Sequence, residues 1–181
     1  MPRIAIPSRD DAPEAAKPIL DAVHAQLGFV PNLHRLMALS PNVLAGFVGL
    51  QGPLAKTLDI KTRDAIALAV SQADGCDYCL AGHSYLAATF SKVSLEEIAL
   101  NRKGASADAK RAAAAHFAQA LIEARGKVAD ADLAAVREAG FSDPQIVEIV
   151  ALSAQFLLAN FLNNVADTDI DFPALEATRA A

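Results

Sequence analysis

A chain of 181 residues that is 53% apolar and 20% charged has the composition of one folded domain with its own core, which excludes a disordered chain. A net charge of −5 with Lys and Arg scattered singly excludes nucleic acid as a partner, because phosphate binding needs concentrated positive charge. Abundant alanine, few aromatics and no Trp favour close-packed helices over sheets.

Residues 1–12 read as an extended N-terminal arm without the apolar run of a secretory signal, so the expected location is the cytoplasm. Pro13–Leu27 reads as a first helix, stopped by Gly28. Pro31-Asn32 and Pro41-Asn42 each open a helix, at about 31–39 and 41–55, since proline suits a first turn in which its missing N–H is not needed. Ile60–Ala73 is a strongly apolar helix ended by Asp74-Gly75, and the next helix starts at Cys76–Asp77 and runs to about Phe90. Ser94 with Glu97 has the form of a capping box. Ala105–Arg125 is an Ala-rich helix closed by Gly126, and Asp130–Ala139 a short one closed by Gly140. Ser142, Pro144 and Gln145 open a last long helix that runs to about Ala166, and residues 167–181 form a C-terminal tail. The stretch Ile146–Leu162 is short for a bilayer span and is interrupted by Glu148, Gln155 and Asn160, so a buried helix and no membrane partner are expected. With no convincing strand and no Gly/Ser/Pro-rich linker, the expectation is one all-α domain over residues 1–181. A faint repeat lays Asp64 on Glu148, and so Asn160 and Asn163 on Cys76 and Cys79. It suggests two duplicated helical hairpins of which only the first carries chemistry.

The chemistry is concentrated in DGCDYCLAGHS, residues 74–84, which holds both cysteines of the chain. On a helix, Cys79 and His83 are four apart and share a face, and Cys76 lies one turn earlier. A helix starting near Cys76 directs its free N–H groups and positive dipole end at that sulfur and favours a thiolate. A thiolate attacks peroxides and disulfides, a histidine one turn away accepts the proton, and a second cysteine closes a disulfide on the sulfenic acid. Two other readings stand beside this one. Two buried cysteines with a satisfied histidine would be structural. A zinc site would use Cys76, Cys79 and His83 with His24, His34 or His116 as a fourth ligand, but no second paired ligand motif is present, so no metal is expected. The strand and βαβ setting of a thioredoxin dithiol is also absent.

The segment RDAIALAVSQADGCDYCLAGHS resembles the signature of the alkylhydroperoxidase D (AhpD)-like group in the carboxymuconolactone decarboxylase family: an acidic residue, Cys-x-x-Cys twelve positions later, then a histidine. GFVPNLHRLMALSPNVL and FSDPQIVEIVALSAQFLLANFLNNVAD resemble the peroxidase-related branch, so the likeness runs from about Gly28 to Phe172. It implies an AhpD-like helical bundle, often oligomeric, that reduces hydroperoxides through a dithiol and is restored by an external thiol or dithiol, with no cofactor. Carried over, Asp64 orients His83, His83 deprotonates Cys79, Cys79 attacks the peroxide and Cys76 resolves the product. The acidic position is usually Glu, and Asp64 is one methylene shorter. Helix-terminus logic favours Cys76 as the attacking sulfur; adjacency to His83 and the family favour Cys79. The alternatives are a decarboxylase acting on a lactone ring, which needs an acid or base and no dithiol, and a non-enzymatic redox sensor or assembly module.

Around this motif, Tyr78 either donates a hydrogen bond into the site or fills space beside it. Ser71 and Gln72 are expected to satisfy local backbone groups. His34 reads as structural or surface, His116 as packed against the Ala-rich helix or an interface, and Asn163-Asn164 as helix-end hydrogen-bonding residues or, through the repeat, as residues that face the dithiol. Wide apolar helix faces suggest a homo-oligomer.

Overall fold

From Ala65 to Val70 every side chain is apolar, so this stretch of its helix has no polar face and must be enclosed on all sides. The computed structural model, which describes residues 2–173, encloses it in an all-helical bundle. A 3-10 turn at Glu14–Ala16 leads into α1 (Lys17–Leu27), α2 (Asn32–Ala38), α3 (Pro41–Leu54), α4 (Ile60–Ala73), α5 (Asp77–Thr89), α6 (Leu95–Asn101), α7 (Ala109–Glu123), α8 (Asp130–Glu138) and α9 (Asp143–Ala166). α4 is central and packs against α7, α5, α9 and α6. Ala65 and Ala69 meet Ala115 of α7 in a seam of small side chains that lets the two backbones approach closely. The largest apolar cluster joins Ile66 and Val70 to Phe117, Leu121, Ile149 and Leu152. A second sets Leu20, Met37, Leu44 and Phe47 of the first helices against Ala159 of α9. Each fully buried aliphatic side chain contributes about 1.5–3 kcal/mol.

Local chemistry fixes the helix ends. Asp59 caps α4 through Thr62 N at 3.0 Å, an interaction worth about 1 kcal/mol. At the other end Gly75 sits at φ +67°, its N–H reaching Gln72 O at 3.2 Å while Cys76 N reaches Ser71 O at 3.0 Å. This left-handed glycine cap reverses the chain within three residues, and the first residue past it, Cys76, is already the N-cap of α5.

Five expectations change. The Ala-rich helix begins at Ala109, not Ala105, because Asp108 caps it through Arg111 N at 2.8 Å and Glu97 holds the preceding loop. The Glu97 carboxylate accepts from Ser106 Oγ, from Ala107 N at 2.9 Å and from Arg111 Nη1 at 3.3 Å. Glu97 is thereby committed to the α6–α7 loop, so the capping box is half-formed: only Ser94 Oγ, accepting from Glu97 N at 3.2 Å, plays its part. The proposed second hairpin of the repeat falls within α9, which runs uninterrupted from Asp143 to Ala166, so no turn matches the one at Asp74–Cys76. His116 is 63% exposed beside Asp132 and does not pack against its own helix. Finally, the tail does not simply trail away: residues 167–173 return over α2 and α5, as described below, while 174–181 lie outside the described residues.

α9 is long and apolar enough to cross a membrane by length and composition. Its inner face, however, buries Ser153, Gln155, Asn160 and Asn163 inside the bundle, which makes it a core helix. Its outer face leaves Val147, Val150, Leu158, Phe161 and Val165 exposed.

Candidate active site

The α4–α5 turn delivers the two sulfurs. Cys76 has extended backbone angles as the α5 N-cap, and its Sγ accepts from Cys79 N at 3.2 Å, the role a serine or aspartate side chain usually plays there. Both cysteines are free thiols and buried. The hydrogen bond from the Cys79 side chain, helped by the Cys79 N–H, holds Cys76 below the ordinary thiol range against the cost of burial. That same bond, and then burial, push Cys79 up. Of the two, Cys76 is therefore the thiol that gives up its proton first, and Cys79 the one that keeps its own. Access runs the other way. Cys76 is fully enclosed, whereas Cys79 lines a cavity of about 730 Å³ together with His83, Leu33, Phe156 and Phe172.

His83, one turn beyond Cys79, is half-buried and stands edge-on to Phe156, with ring centroids 5.1 Å apart. Burial pushes its pKa down to about 4, so at neutral pH it is uncharged and able to accept a proton. A second cavity of about 290 Å³ lies on its other side and is lined by Asp64, Arg63, Ser91 and Gln155. His83, Gln155 and Phe156 border both cavities. The structure thus brings Cys76, Cys79 and His83 onto one helix end and sets Asp64 on the smaller cavity with His83 alone of the three. Asp64 and His83 make no direct hydrogen bond. Asp64 Oδ2 is buried without a partner, and burial raises its carboxyl pKa. The carboxylate lines the smaller cavity that His83 also borders and does not bond to the imidazole. Among the described residues, no three His, Cys, Asp or Glu side chains converge as metal ligands.

Tyr78 does not point its hydroxyl at the sulfurs. It donates to Asp171 Oδ1 at 2.9 Å and accepts from Leu33 N at 3.1 Å. Asp171 Oδ2 accepts from Asn32 N at 2.7 Å, and Asn32 Nδ2 donates to Asp169 O at 2.8 Å. These bonds tie the returning chain across the cavity. The Phe172 ring then packs edge-on to Phe29 and Tyr78, both at 5.6 Å. Gly82 makes room for it, since a Cβ there would lie 2.9 Å from Phe172 Cε2. Asp171 and Phe172 were not among the sequence candidates. No periodic pattern marks them, and their partners lie far away along the chain.

Other side chains also find partners the sequence did not suggest. Ser71 Oγ donates to Asn160 Oδ1 at 3.4 Å and Gln72 accepts from Arg102 Nε at 2.9 Å, so both serve side chains and not local backbone. Asn163 Nδ2 donates to Cys79 Sγ at 3.3 Å, and Asn164 Nδ2 to Asp74 O at 3.3 Å.

His34 is 9% exposed, and burial lowers its pKa to about 4. It and His83 remain neutral in the fold while the unfolded chain protonates near pH 6.5, so unfolding takes up protons as pH falls. The stability that His34 and His83 contribute is complete above pH 6.5 and is lost on acidification toward pH 4. Asp64 opposes this, because its raised carboxyl binds a proton more readily in the fold. The unfolding free energy from urea titration is expected to fall between pH 7.5 and pH 4.5, by about 2.5 kcal/mol for His34 alone, and the urea midpoint with it. A midpoint that stays constant, or rises, would show that these imidazoles are not buried as neutral groups.

The comparisons agree with this architecture. A sequence profile described as the carboxymuconolactone decarboxylase family matches residues 41–123, α3 through α7. No curated protein matches the chain. Among solved structures, the chain is similar to an uncharacterized peroxidase-related protein with an alkylhydroperoxidase AhpD core from Ralstonia eutropha JMP134. The two are 27% identical over 94% of this chain and 92% of that one, with a TM-score of 0.83. An uncharacterized peroxidase-related protein from Silicibacter sp. TM1040 shares the fold at 23% identity, 93% and 91% coverage and a TM-score of 0.81. The debrominase Bmp8 is 25% identical over 98% of this chain and 95% of that one, with a TM-score of 0.78. The profile spans the dithiol motif and the helical fold is matched over nearly the whole length, so the chain is similar to the carboxymuconolactone decarboxylase family and to its AhpD-like members.

Proposed function

We propose that the protein is a thiol-dependent peroxidase that reduces organic hydroperoxides through the Cys76–Cys79 pair. The observation that carries this reading is the division of labour between the sulfurs: Cys79 faces the large cavity beside a neutral His83, and Cys76 waits behind it at a helix N-terminus. In the first step His83 takes the proton of Cys79 and the thiolate attacks the hydroperoxide. The O–O bond breaks, Cys79 becomes the sulfenic acid and the alkoxide leaves as the alcohol once protonated. Cys76 then attacks the Cys79 sulfur, expelling water and forming the disulfide, and an external dithiol restores both thiols. Asp64 assists across the smaller cavity by orienting or accepting from His83, through water in place of direct contact.

The decarboxylation that gives the family its name needs an acid or base but no dithiol, so retention of both sulfurs weighs against it. It weighs equally against a purely structural module. The debrominase likeness favours a second reading, because a cysteine-to-alanine variant of Bmp8 was solved in complex with 2,3,4-tribromopyrrole. A cavity of about 730 Å³ has room for a small halogenated ring as well as for an organic hydroperoxide. Assembly into a homo-oligomer through the exposed α9 face and work in a reducing cytoplasm complete the proposal. The deciding experiment is turnover of a panel of hydroperoxides and halogenated pyrroles with several dithiol donors. Hydroperoxide consumption coupled to dithiol oxidation is expected; halide release without hydroperoxide turnover would transfer the site to the second reading.

A further inference from the structure

We infer that Asn163 is a further catalytic residue of this site: its side-chain amide donates a hydrogen bond to Cys79 Sγ and stabilises that sulfur as an anion when its proton leaves. The catalytic consequence rests on the dithiol reading above, while the effect on the sulfur itself does not depend on the substrate.

The geometry fixes which end of the amide faces the sulfur. Asn163 Nδ2 lies 3.3 Å from Cys79 Sγ and 3.0 Å from Ala159 O. A backbone carbonyl can only accept, so the group between it and the sulfur must be the NH2, which has one hydrogen for each. Asn163 is 2% exposed, so no bulk water competes for the donor and the bond acts in a low dielectric. A neutral N–H donor distinguishes the two states of its partner. Its bond to a thiol is weak, whereas its bond to a thiolate is charge-assisted and about twice as strong. The contact therefore lowers the free energy of the anion more than that of the thiol, and it works to lower Cys79 against the larger opposing influences of Cys76 and burial.

Packing alone gives no reason for an amide here. α9 meets α4 and α5 with Asn160 and Asn163 at positions where an aliphatic side chain would complete the core. Both leave a buried atom without a partner, Asn160 Nδ2 and Asn163 Oδ1. An unpartnered buried polar atom destabilises the fold, and such a cost calls for an explanation beyond stability. The helix-end role first expected for Asn163 is met by the bond to Ala159 O alone and leaves the sulfur contact unexplained. In the proposed cycle the amide supports Cys79 as His83 removes its proton. Once the disulfide forms there is no anion left to stabilise, so the contact favours the reactive reduced form.

The test isolates Cys79 as the sole thiol in a Cys76→Ser protein and measures its apparent pKa from ultraviolet thiolate absorbance and from the pH dependence of iodoacetamide alkylation. Adding Asn163→Leu or Asn163→Ala is expected to raise that pKa by about one unit, a tenfold loss of thiolate at a fixed pH below it. An unchanged pKa in both variants, with helical content preserved, would overturn the proposal. Should neither variant fold, the side-chain amide resonances of Asn163 in the Cys76→Ser protein give a second readout. They are expected to shift with the titration of Cys79, and resonances that do not move would overturn the assignment equally. Hydroperoxide turnover of the unaltered protein is measured separately. A pKa effect without turnover refutes the peroxidase reading alone, and turnover without a pKa effect refutes the role of Asn163 alone.

Discussion

Replacing Cys79 by serine is expected to abolish hydroperoxide consumption, by about 10³-fold or more, as removal of a nucleophile does in enzymes that form covalent intermediates. Cys79 is the only one of the two sulfurs that lines the large cavity, and Cys76 is fully enclosed. Cys76→Ser is expected to behave differently. A single equivalent of hydroperoxide is still reduced, Cys79 stops at the sulfenic acid, and turnover ends there because the resolving sulfur is gone. The lower thiol pKa of Cys76 argues for the opposite assignment if protonation state alone decides. Stopped-flow consumption of one equivalent by each variant separates the two: a burst in Cys79→Ser and none in Cys76→Ser would make Cys76 the attacking residue.

The second large effect concerns the base. His83→Gln is expected to lower the rate of Cys79 oxidation by about 10²-fold or more, the range over which a positioned proton acceptor acts. The loss falls on the chemical step, because His83 borders the cavity and is not hydrogen-bonded into the core. Asp64→Asn is expected to cost less, about tenfold, since Asp64 has no direct bond to His83 and acts across the smaller cavity. Asp64→Glu is the informative partner. Its extra methylene extends the carboxylate toward His83, and the rate is expected to rise. A rate that is indifferent to His83→Gln would remove the imidazole from the mechanism, and an Asp64→Glu enzyme slower than the unaltered one would remove the reach argument. Each variant is read as the pH dependence of the first oxidation, with helical content as the folding control.

Much of this was visible in the residues because it is local. The Gly75 cap, the N-cap position of Cys76 and the shared face of Cys79 and His83 all follow from spacings within one helical turn, and α4, α5 and α9 lie where their capping residues and apolar runs put them. What could not be read is what long-range packing decides. Glu97 looked like a capping residue from Ser94 three positions earlier, but ten positions later Ala107 offered it a better partner. The stretch Asp167–Phe172 has no periodicity to interpret, and its function as a strap comes from contacts to Asn32, Tyr78 and Gly82 across the fold. Asn163 illustrates the boundary. The repeat register set it beside Cys79, and the contact exists, yet the hairpin that suggested it does not. The register matched because α9 crosses the dithiol at that height.

The most direct measurement is disulfide mapping after one equivalent of an organic hydroperoxide is added to the fully reduced protein, followed by alkylation of any remaining thiols. The predicted result is the loss of both thiols in every chain and a peptide in which Cys76 is joined to Cys79. Recovery of both cysteines in alkylated form, or of an oxidised Cys76 beside an untouched Cys79, would contradict the site as described.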